Sequence, residues 1–474
     1  MRKVYDSQYD LWKTQIADIE IDPKDRDDIP AVLMGLQALY VDAENRAKIF
    51  EILERHVRPE VSHRHGRPGM DLWRIFVLAV VKMALNCDFD RLTNLANHHQ
   101  TLRQMLGHAE YGDRTKYQHQ TVIDNVSLLT EEALQEINKV VVECGHAHLD
   151  VEAETPLECR VDSAVTKTNV HWPTDVNLLR DAMDSLLRTL HRTCAAHEVK
   201  GWRKCQYWLR EVRKAFNRVR DSRRWRSERK VKAYLGLCIQ LVVRATVTLE
   251  ELRKREIATD KIAHYLAHAL RQIDQIERRL IKNETIPHHE KVFSVHEPHT
   301  RWINKGKAGV LVELGLPICF MEDQYQFILH HEVLREGVDS DMIVQFIQAA
   351  QALYPSIVSC SMDKGYHSPG NRVALDGLLE LNVLPKKGRK SQAEQARESA
   401  PAFAAARRKH PGIESAINNL NHRGLDRIRT HGEEGFVRTV ALGVVAANVH
   451  RLGQIVKKQR RQYDRWHKAR RKAA

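Results

Sequence analysis

The residues Leu157-Glu158-Cys159-Arg160-Val161-Asp162 are typical of a β-strand that ends in an aspartate, and the sequence pattern changes with them. Helices are predicted downstream over residues 341–353 and 371–381. Strands followed by helices indicate an α/β core with a mixed sheet. The further predicted strands cover residues 291–296, 309–320, 325–333 and 357–363.

The segment before this strand, residues 1–150, is predicted to be a helical domain. Asp88 precedes one predicted helix, and Thr130, followed by two glutamates, is typical of a helix start. A DNA-binding helix-turn-helix and a helical scaffold or dimerisation domain both remain open for this segment. One apolar series at helical spacing consists of Trp73, Phe76, Val77, Val80, Val81 and Ala84.

Residues 177–286 are predicted to form a helical insertion within the α/β core. Between residues 174 and 286 there is no proline, and the only glycines are Gly201 and Gly236. Heptad spacing near the end of the segment favours helix-on-helix packing. The residues with that spacing are Ile262, Leu266, Ala269, Ile273, Ile276 and Leu280.

The composition excludes several classes of protein. With 43% hydrophobic and 29% charged residues the chain is not disordered, and 75 Lys+Arg against 61 Asp+Glu give a net charge of +14. Such an excess suggests a polyanionic partner, either nucleic acid or an acidic membrane surface. The longest apolar stretch, residues 75–85, contains Lys82 and is too short to span a bilayer, so no membrane partner is expected. The eight cysteines form no C-x-x-C pair, which predicts free thiols in a reducing cytoplasm.

The positive charge is concentrated in two segments. Residues 200–232 hold 14 Lys/Arg against three acidic residues, a net of +11, and residues 457–472 hold nine against one, a net of +8. The remainder therefore carries −5. We expect DNA contacts in both segments, the second belonging to a basic C-terminal helix or tail at 451–474, although a solvated helix face is the simpler alternative. The candidate contacts in the first segment are Arg203, Lys204, Arg210, Arg213, Lys214, Arg223 and Arg224.

Three carboxylates are candidates for chemistry. Asp162 and Asp363 end predicted strands. Glu414 lies on a predicted helix, at the border of its apolar face, and Gly424 is placed to end that helix. Mg²⁺ prefers oxygen ligands, and a pair of such ions can stabilise the attacking and leaving oxygens of a phosphodiester. Aspartates that cap turns and a solvated helical glutamate are the alternative interpretation.

Four blocks of sequence resemble the DDE transposases of bacterial insertion sequences, and the broad IS4/IS5-like group in particular. The blocks are Val161-Asp162-Ser163 through Asp175, Ser294-Val295-His296-Glu297 through Lys307, Asp363-Lys364-Gly365-Tyr366, and Gly412-Ile413-Glu414-Ser415 through Arg427. They occur in the expected order and span about residues 157–450.

The resemblance implies an RNase H-like catalytic core over 151–176 and 287–450, with a mixed sheet, interrupted by the helical insertion and preceded by the helical domain. Asp162, Asp363 and Glu414 would be both catalytic residues and ligands of two Mg²⁺ ions, which Mn²⁺ can replace. The implied reaction is cleavage at the transposon ends and attack of the freed 3′-OH on target DNA. The implied partners are double-stranded DNA, as inverted repeats and target, and a second copy of the chain in the synaptic complex, in the cytoplasm at the bacterial nucleoid.

The sequence departs from the group around the glutamate. Many relatives place Tyr and Arg seven and four residues before it and Lys seven after it, where this chain has Arg407, His410 and Asn421. The basic residues near the blocks are candidate DNA contacts: Lys305, Lys307, Lys364, His410 and Arg423. For Lys305 and Lys307 an ordinary hairpin turn is equally plausible.

Two other functions remain open at this point. One is a Mg²⁺-dependent DNA nuclease of the same fold without strand transfer. The other is a catalytically inactive DNA-binding protein, against which the presence of all three carboxylates argues.

Overall fold

The structure is a computed structural model that describes residues 3–5, 12–57, 69–110, 112–220, 228–307, 310–337 and 339–473. The chain divides into two compact units. The first contains Met1–Thr168 and Gly315–Ala474, and the second contains Asn169–Leu314. The predicted N-terminal helical segment and the basic C-terminal segment therefore belong to the same compact unit as most of the sheet.

The protein is a mixed α/β structure with one seven-stranded sheet. Strand β3 is antiparallel to β1 and β4, whereas β5 is parallel to β1 and β6. The strand order is β2-β3-β1-β5-β6, with β4 paired to β3 and β7 paired to β1. The strands are β1 (Leu157–Thr168), β2 (Arg301–Lys307), β3 (Val310–Glu322), β4 (Ile328–Val333), β5 (Ile357–Met362), β6 (Leu381–Val383) and β7 (Arg427–Ile428).

Strand β1 is longer than the sequence predicts. It begins at Leu157 as expected, but it continues past Asp162 to Thr168. The extension is antiparallel to β3, with Asp162 opposite Phe320 and Lys167 opposite Gly315. The prediction that Asp162 ends the strand is therefore wrong, because pairing with a distant segment extends it.

The helices of the first unit pack around the last of them. An added Cβ on Gly35 of α1 would overlap the carbonyl of Val449 in α17, and one on Gly453 would overlap that of Ala31, so these two helices cross with their backbones in contact. The helices are α1 (Asp28–Val41), α2 (Ala43–His56), α3 (Leu72–Ala84), α4 (Phe89–His98), α5 (Gln100–Met105), α6 (His119–Val126), α7 (Glu131–Ala147), α12 (Asp339–Leu353), α13 (Pro369–Leu378), α14 (Gln392–Ser399), α15 (Pro401–Lys409), α16 (Gly412–Leu420) and α17 (Glu433–Ala473).

The second unit contains the predicted helical insertion. Its helices are α8 (Asp175–Ala196), α9 (Cys205–Arg220), α10 (Glu228–Lys254) and α11 (Asp260–Ile276). They enclose a separate apolar core. The heptad residues Ile262, Leu266, Ala269, Ile273 and Ile276 are all buried in it, which confirms the packing face predicted for α11.

Several local predictions are confirmed by the backbone. Asp88 and Thr130 are N-cap residues whose side chains accept hydrogen bonds from the amides of Arg91 and Ala133, as helix starts require. Gly424, with φ of +96°, lies where the helix carrying Glu414 ends. All eight cysteines are free and buried.

One predicted strand is absent. Residues 291–296 form neither a strand nor a helix, because the Ser294 hydroxyl accepts the amides of His296 and Glu297 and so folds the segment into a turn. Val295, which made the segment resemble a strand, is buried in the apolar core of the helical unit.

Among the residues that the structure describes, two helices are long and apolar enough, by length and composition alone, to cross a membrane: α10, and residues 433–467 of α17. In α17, 89% of the apolar window is buried inside the protein.

Candidate active site

Asp162 lies on β1, and Asp363 directly follows the end of the neighbouring parallel strand β5. Val161 and Met362 are Cα partners in the β1–β5 pair, so Asp162 and Asp363 are the next residues along the two strands. Neighbouring strands are about 4.8 Å apart. Because side chains alternate between faces, both aspartates belong to the face opposite the fully buried Val161 and Met362. The structure therefore brings two of the three predicted carboxylates together.

The two carboxylates have different surroundings. Oδ1 of Asp162 accepts a hydrogen bond of 2.8 Å from the amide of Ser163, and the residue is half-buried. Oδ1 of Asp363 lies 3.2 Å from Nη2 of Arg407, whose Nη1 donates to the carbonyl of Met362 at 2.8 Å. The Asp363 side chain is 51% exposed, so solvent and solutes can reach it.

Glu414 is on a helix that packs against β1. It lies in the first turn of α16, where Ile413 and Leu420 are buried and anchor the helix. The carboxylate of Glu414 itself is exposed. Among the residues that the structure describes, no group of three or more His, Cys, Asp or Glu side chains is placed to bind a metal ion.

The donor chemistry of the two aspartates nevertheless suits Mg²⁺, which binds through one or two carboxylates and keeps several waters. Adjacent oxygen donors on rigid strands provide such ligands, and the half-exposed Asp363 leaves room for water. Among the described residues, no third carboxylate joins these two aspartates in one ligand group.

His410 and Arg423 have structural contacts in place of the predicted DNA contacts. His410 is buried, and its Nδ1 lies 3.2 Å from the hydroxyl of Ser361 on β5. Burial lowers the pKa of this imidazole, and the neighbouring Arg407 lowers it further, so it is uncharged at neutral pH. Arg423 is 5% exposed, with Nη2 at 2.8 Å from Nδ1 of His450. Both side chains are buried within the fold, which argues against the DNA contacts predicted for them.

The basic segment of the second unit forms an amphipathic helix. On α9 the apolar side chains face the core, and Arg210, Arg213 and Lys214 are exposed on the other side. Arg203 and Lys204, just before the helix, are exposed as well. Arg223 and Arg224 lie outside the described residues. Trp202 and Phe216 are buried core residues, so they are not available to stack on bases.

The remaining predicted DNA contacts lie in different places. Lys305 and Lys307 are on β2, in the second compact unit, whereas the three carboxylates belong to the first. Their side chains lie outside the described part of the structure. Lys364 directly follows Asp363 and is exposed, which leaves its ammonium free to approach a phosphate.

The basic C-terminal segment is the end of the long helix α17, and some of its cationic side chains form hydrogen bonds within the protein. Lys457 and Arg461 donate to the backbone carbonyls of Asp25 and Pro23. Arg460 donates to Oε1 of Gln37 at 2.7 Å. Fewer cations of this segment are therefore available to DNA than its net charge suggests.

Sequence reasoning missed Arg160 and Glu322, which face each other on β1 and β3, two positions along the sheet from Asp162. Oε2 of Glu322 on β3 is 2.8 Å from Nη2 of Arg160 on β1. Burial raises the pKa of Glu322 to about 7, against the opposing effect of Arg160. The sequence did contain a signal for Arg160: it lies two residues before Asp162, and residues two apart on a strand are on the same face of the sheet.

Comparison with known proteins found no matching family model, no matching curated protein and no matching solved structure.

Proposed function

We propose that this chain is a DDE transposase that cuts the ends of an insertion sequence and joins the freed 3′-OH to target DNA. The observation that carries the proposal is that Asp162 and Asp363 directly follow Val161 and Met362, which are Cα partners on the neighbouring parallel strands β1 and β5. A helix that carries Glu414 packs against the same strand β1. The resemblance of the three blocks that carry these carboxylates to transposase motifs also supports the proposal.

The sheet supports an RNase H-like catalytic core. Strand β3 is antiparallel to both β4 and β1, and β5 and β6 follow in parallel to β1. The resemblance implies a core with a mixed sheet of this kind, and Asp162 on β1 and Asp363 after β5 lie at two neighbouring strands of it. In the sequence, the helical insertion lies between β1 and the other strands.

Asp162 and Asp363 would hold Mg²⁺ or Mn²⁺, and Glu414 would join them. When bound, a pair of such ions stabilises the attacking and leaving oxygens of a phosphodiester. The chain's own residues provide the setting: the two strands fix the carboxylates, and Lys364 places a positive charge beside Asp363 for a DNA phosphate.

DNA binding is assigned to the exposed cations of the second unit. Arg203, Lys204, Arg210, Arg213 and Lys214 are all exposed, so they can replace the counterions of a DNA backbone. Contacts of this type hold DNA without reading its sequence. Joining two ends requires two copies of the active site, so we propose a homodimer in the complex with DNA, at the bacterial nucleoid in the cytoplasm.

The test uses the DNA that flanks the coding sequence. We expect short inverted repeats there, bordered by a duplication of the target. Duplexes with those repeats, incubated with the protein and Mg²⁺, should yield nicked ends and then joined products in a target plasmid. Cleavage without joining would instead support a Mg²⁺-dependent nuclease of the same fold.

One observation favours a second candidate, a catalytically inactive DNA-binding protein. Asp363 is ion-paired with Arg407, and Glu414 faces solvent, so three carboxylates do not form one ligand group. DNA binding without cleavage in Mg²⁺ or Mn²⁺, unchanged by Asp162→Asn, would support this candidate over the transposase.

A further inference from the structure

The turn before α16 is held by two neighbouring strands. Nη1 of Arg160 on β1 donates to the carbonyl of Lys409 at 3.2 Å, and Ser361 on β5 hydrogen-bonds to His410. Arg160 and Ser361 are themselves Cα partners in the sheet. The register of β1 against β5 therefore places both contacts side by side. Any shift of the turn along β1 would break them.

Gly412, the first residue of α16, lies against the guanidinium of Arg160. An added Cβ on Gly412 would overlap Nη1 of Arg160, and the three atoms nearest to that Cβ all belong to Arg160. A side chain at 412 would therefore have to displace the guanidinium, whereas glycine lets the helix lie directly against it.

Arg160 is itself held from the opposite side by β3. Its Nη2 donates to the carbonyl of Asp323 at 3.1 Å and pairs with Oε2 of Glu322 at 2.8 Å. The side chain is 15% exposed. Because a guanidinium is planar and its donors are fixed relative to one another, partners on both sides leave it little freedom.

We propose that Arg160 is a positioning residue that sets α16, and with it Glu414, relative to Asp162. Glu414 follows Gly412 by two residues and Asp162 follows Arg160 by two, so the contact joins the two segments that carry these carboxylates. The proposal rests on the proposed function for the role of Glu414, and on the structure alone for the contact itself.

The test is a double-mutant cycle with Arg160→Ala, Gly412→Ala and the double variant in the full chain. The first measurement is hydrogen–deuterium exchange of the amides of residues 412–420. The second is the rate of Mg²⁺-dependent nicking of duplex DNA, with DNA affinity measured separately. Gly377→Ala is the matched control, since a Cβ at that helical glycine has no neighbour within 4 Å.

Gly412→Ala alone should speed exchange in 412–420 and lower the nicking rate by about tenfold to a hundredfold, with DNA affinity unchanged. The double variant should be no worse than Arg160→Ala, because removing the guanidinium makes room for the new methyl group. Arg160→Lys, which keeps the charge but not the planar fork of donors, should recover only part of the rate and guards against a failure of Arg160→Ala to fold.

Two results would overturn the proposal. One is a double variant whose loss of nicking rate equals the product of the losses in the two single variants. The other is a Gly412→Ala protein in which amide exchange of residues 412–420 and the nicking rate are both unchanged. If the unmodified protein does not nick DNA, the proposed function fails. The exchange measurements would then still decide whether Arg160 sets α16.

Discussion

Asp363 and Arg407 form an ion pair, with Nη2 of Arg407 at 3.2 Å from Oδ1 of Asp363. The same guanidinium is tied to the strand end through the carbonyl of Met362. A divalent cation at Asp363 would therefore compete with a cation that the protein already supplies.

Replacing Arg407 should strengthen metal binding. In Arg407→Gln we expect Mn²⁺ affinity to rise by about two- to fivefold, since a partly exposed ion pair is worth up to about 1 kcal/mol. Titration with Mn²⁺, followed by calorimetry or by the electron paramagnetic resonance signal of free Mn²⁺, measures this affinity directly. Arg408→Gln, at an exposed neighbouring position, is the control, and equal affinities in both variants would show that Arg407 does not compete.

The exposed cations of α9 should control the salt dependence of DNA binding. Changing Arg210, Arg213 and Lys214 together to Gln should reduce the slope of log affinity against log salt by up to about 0.9 for each phosphate that the protein no longer neutralises. The matched control replaces Arg253, Lys254 and Lys261, which are also exposed in the second unit. The same slope in both triple variants would assign the basic face of α9 to solubility and not to DNA.

How far the sequence predicts this fold depends on whether a feature is local. Asp88, Thr130 and Gly424 act within one turn of their own helix, and all three predictions are confirmed. Ser294 also acts locally, but its turn was hidden by the β-like composition around it. The extension of β1 depends on pairing with residues 315–319, some 150 positions away, and composition carries no signal of that pairing.

In the candidate site, too, some features follow from local sequence and others depend on distant packing. The adjacency of Asp162 and Asp363 agrees with an expectation from motifs, whereas the burial of His410 and Arg423 follows from how α16 and α17 pack. A basic residue near a motif does not reveal whether its partner is a phosphate or a buried acceptor such as His450. Arg160 was missed because its partners, Glu322 and the carbonyl of Lys409, are distant in sequence.

A buried histidine should make the protein sensitive to acid. His331 is 3% exposed, and burial lowers its pKa to about 3. Between pH 6.5 and about 3 the unfolded chain binds a proton that the folded chain does not, so stability falls as pH falls. His331→Leu should remove up to about 1.4 kcal/mol of this loss per pH unit, measured by denaturant unfolding. His98→Leu, at an exposed site, should leave the slope unchanged; equal slopes in both variants would contradict the assignment.

The stability that depends on Glu322 should change with pH in the opposite direction. Its pKa is raised to about 7 in the folded protein, so between pH 4.5 and 7 the folded state holds a proton that the unfolded state has lost. Stability from this group is therefore present at low pH and is lost as pH rises to 7. Glu322→Gln should remove that loss, up to about 1.4 kcal/mol per pH unit. The exposed Glu336→Gln is the control, and a wild-type slope in Glu322→Gln would show that the carboxylate is ionised throughout.

If Asp162 and Asp363 form the proposed metal-dependent centre that cuts DNA, removing either carboxylate must stop the reaction. The measurement is the rate of Mg²⁺-dependent cleavage of a labelled duplex by the unmodified protein, Asp162→Asn and Asp363→Asn, at equal DNA occupancy. We expect cleavage by the unmodified protein and a loss of at least about a hundredfold in each variant, with DNA affinity retained. Cleavage at the unmodified rate by either variant would contradict it.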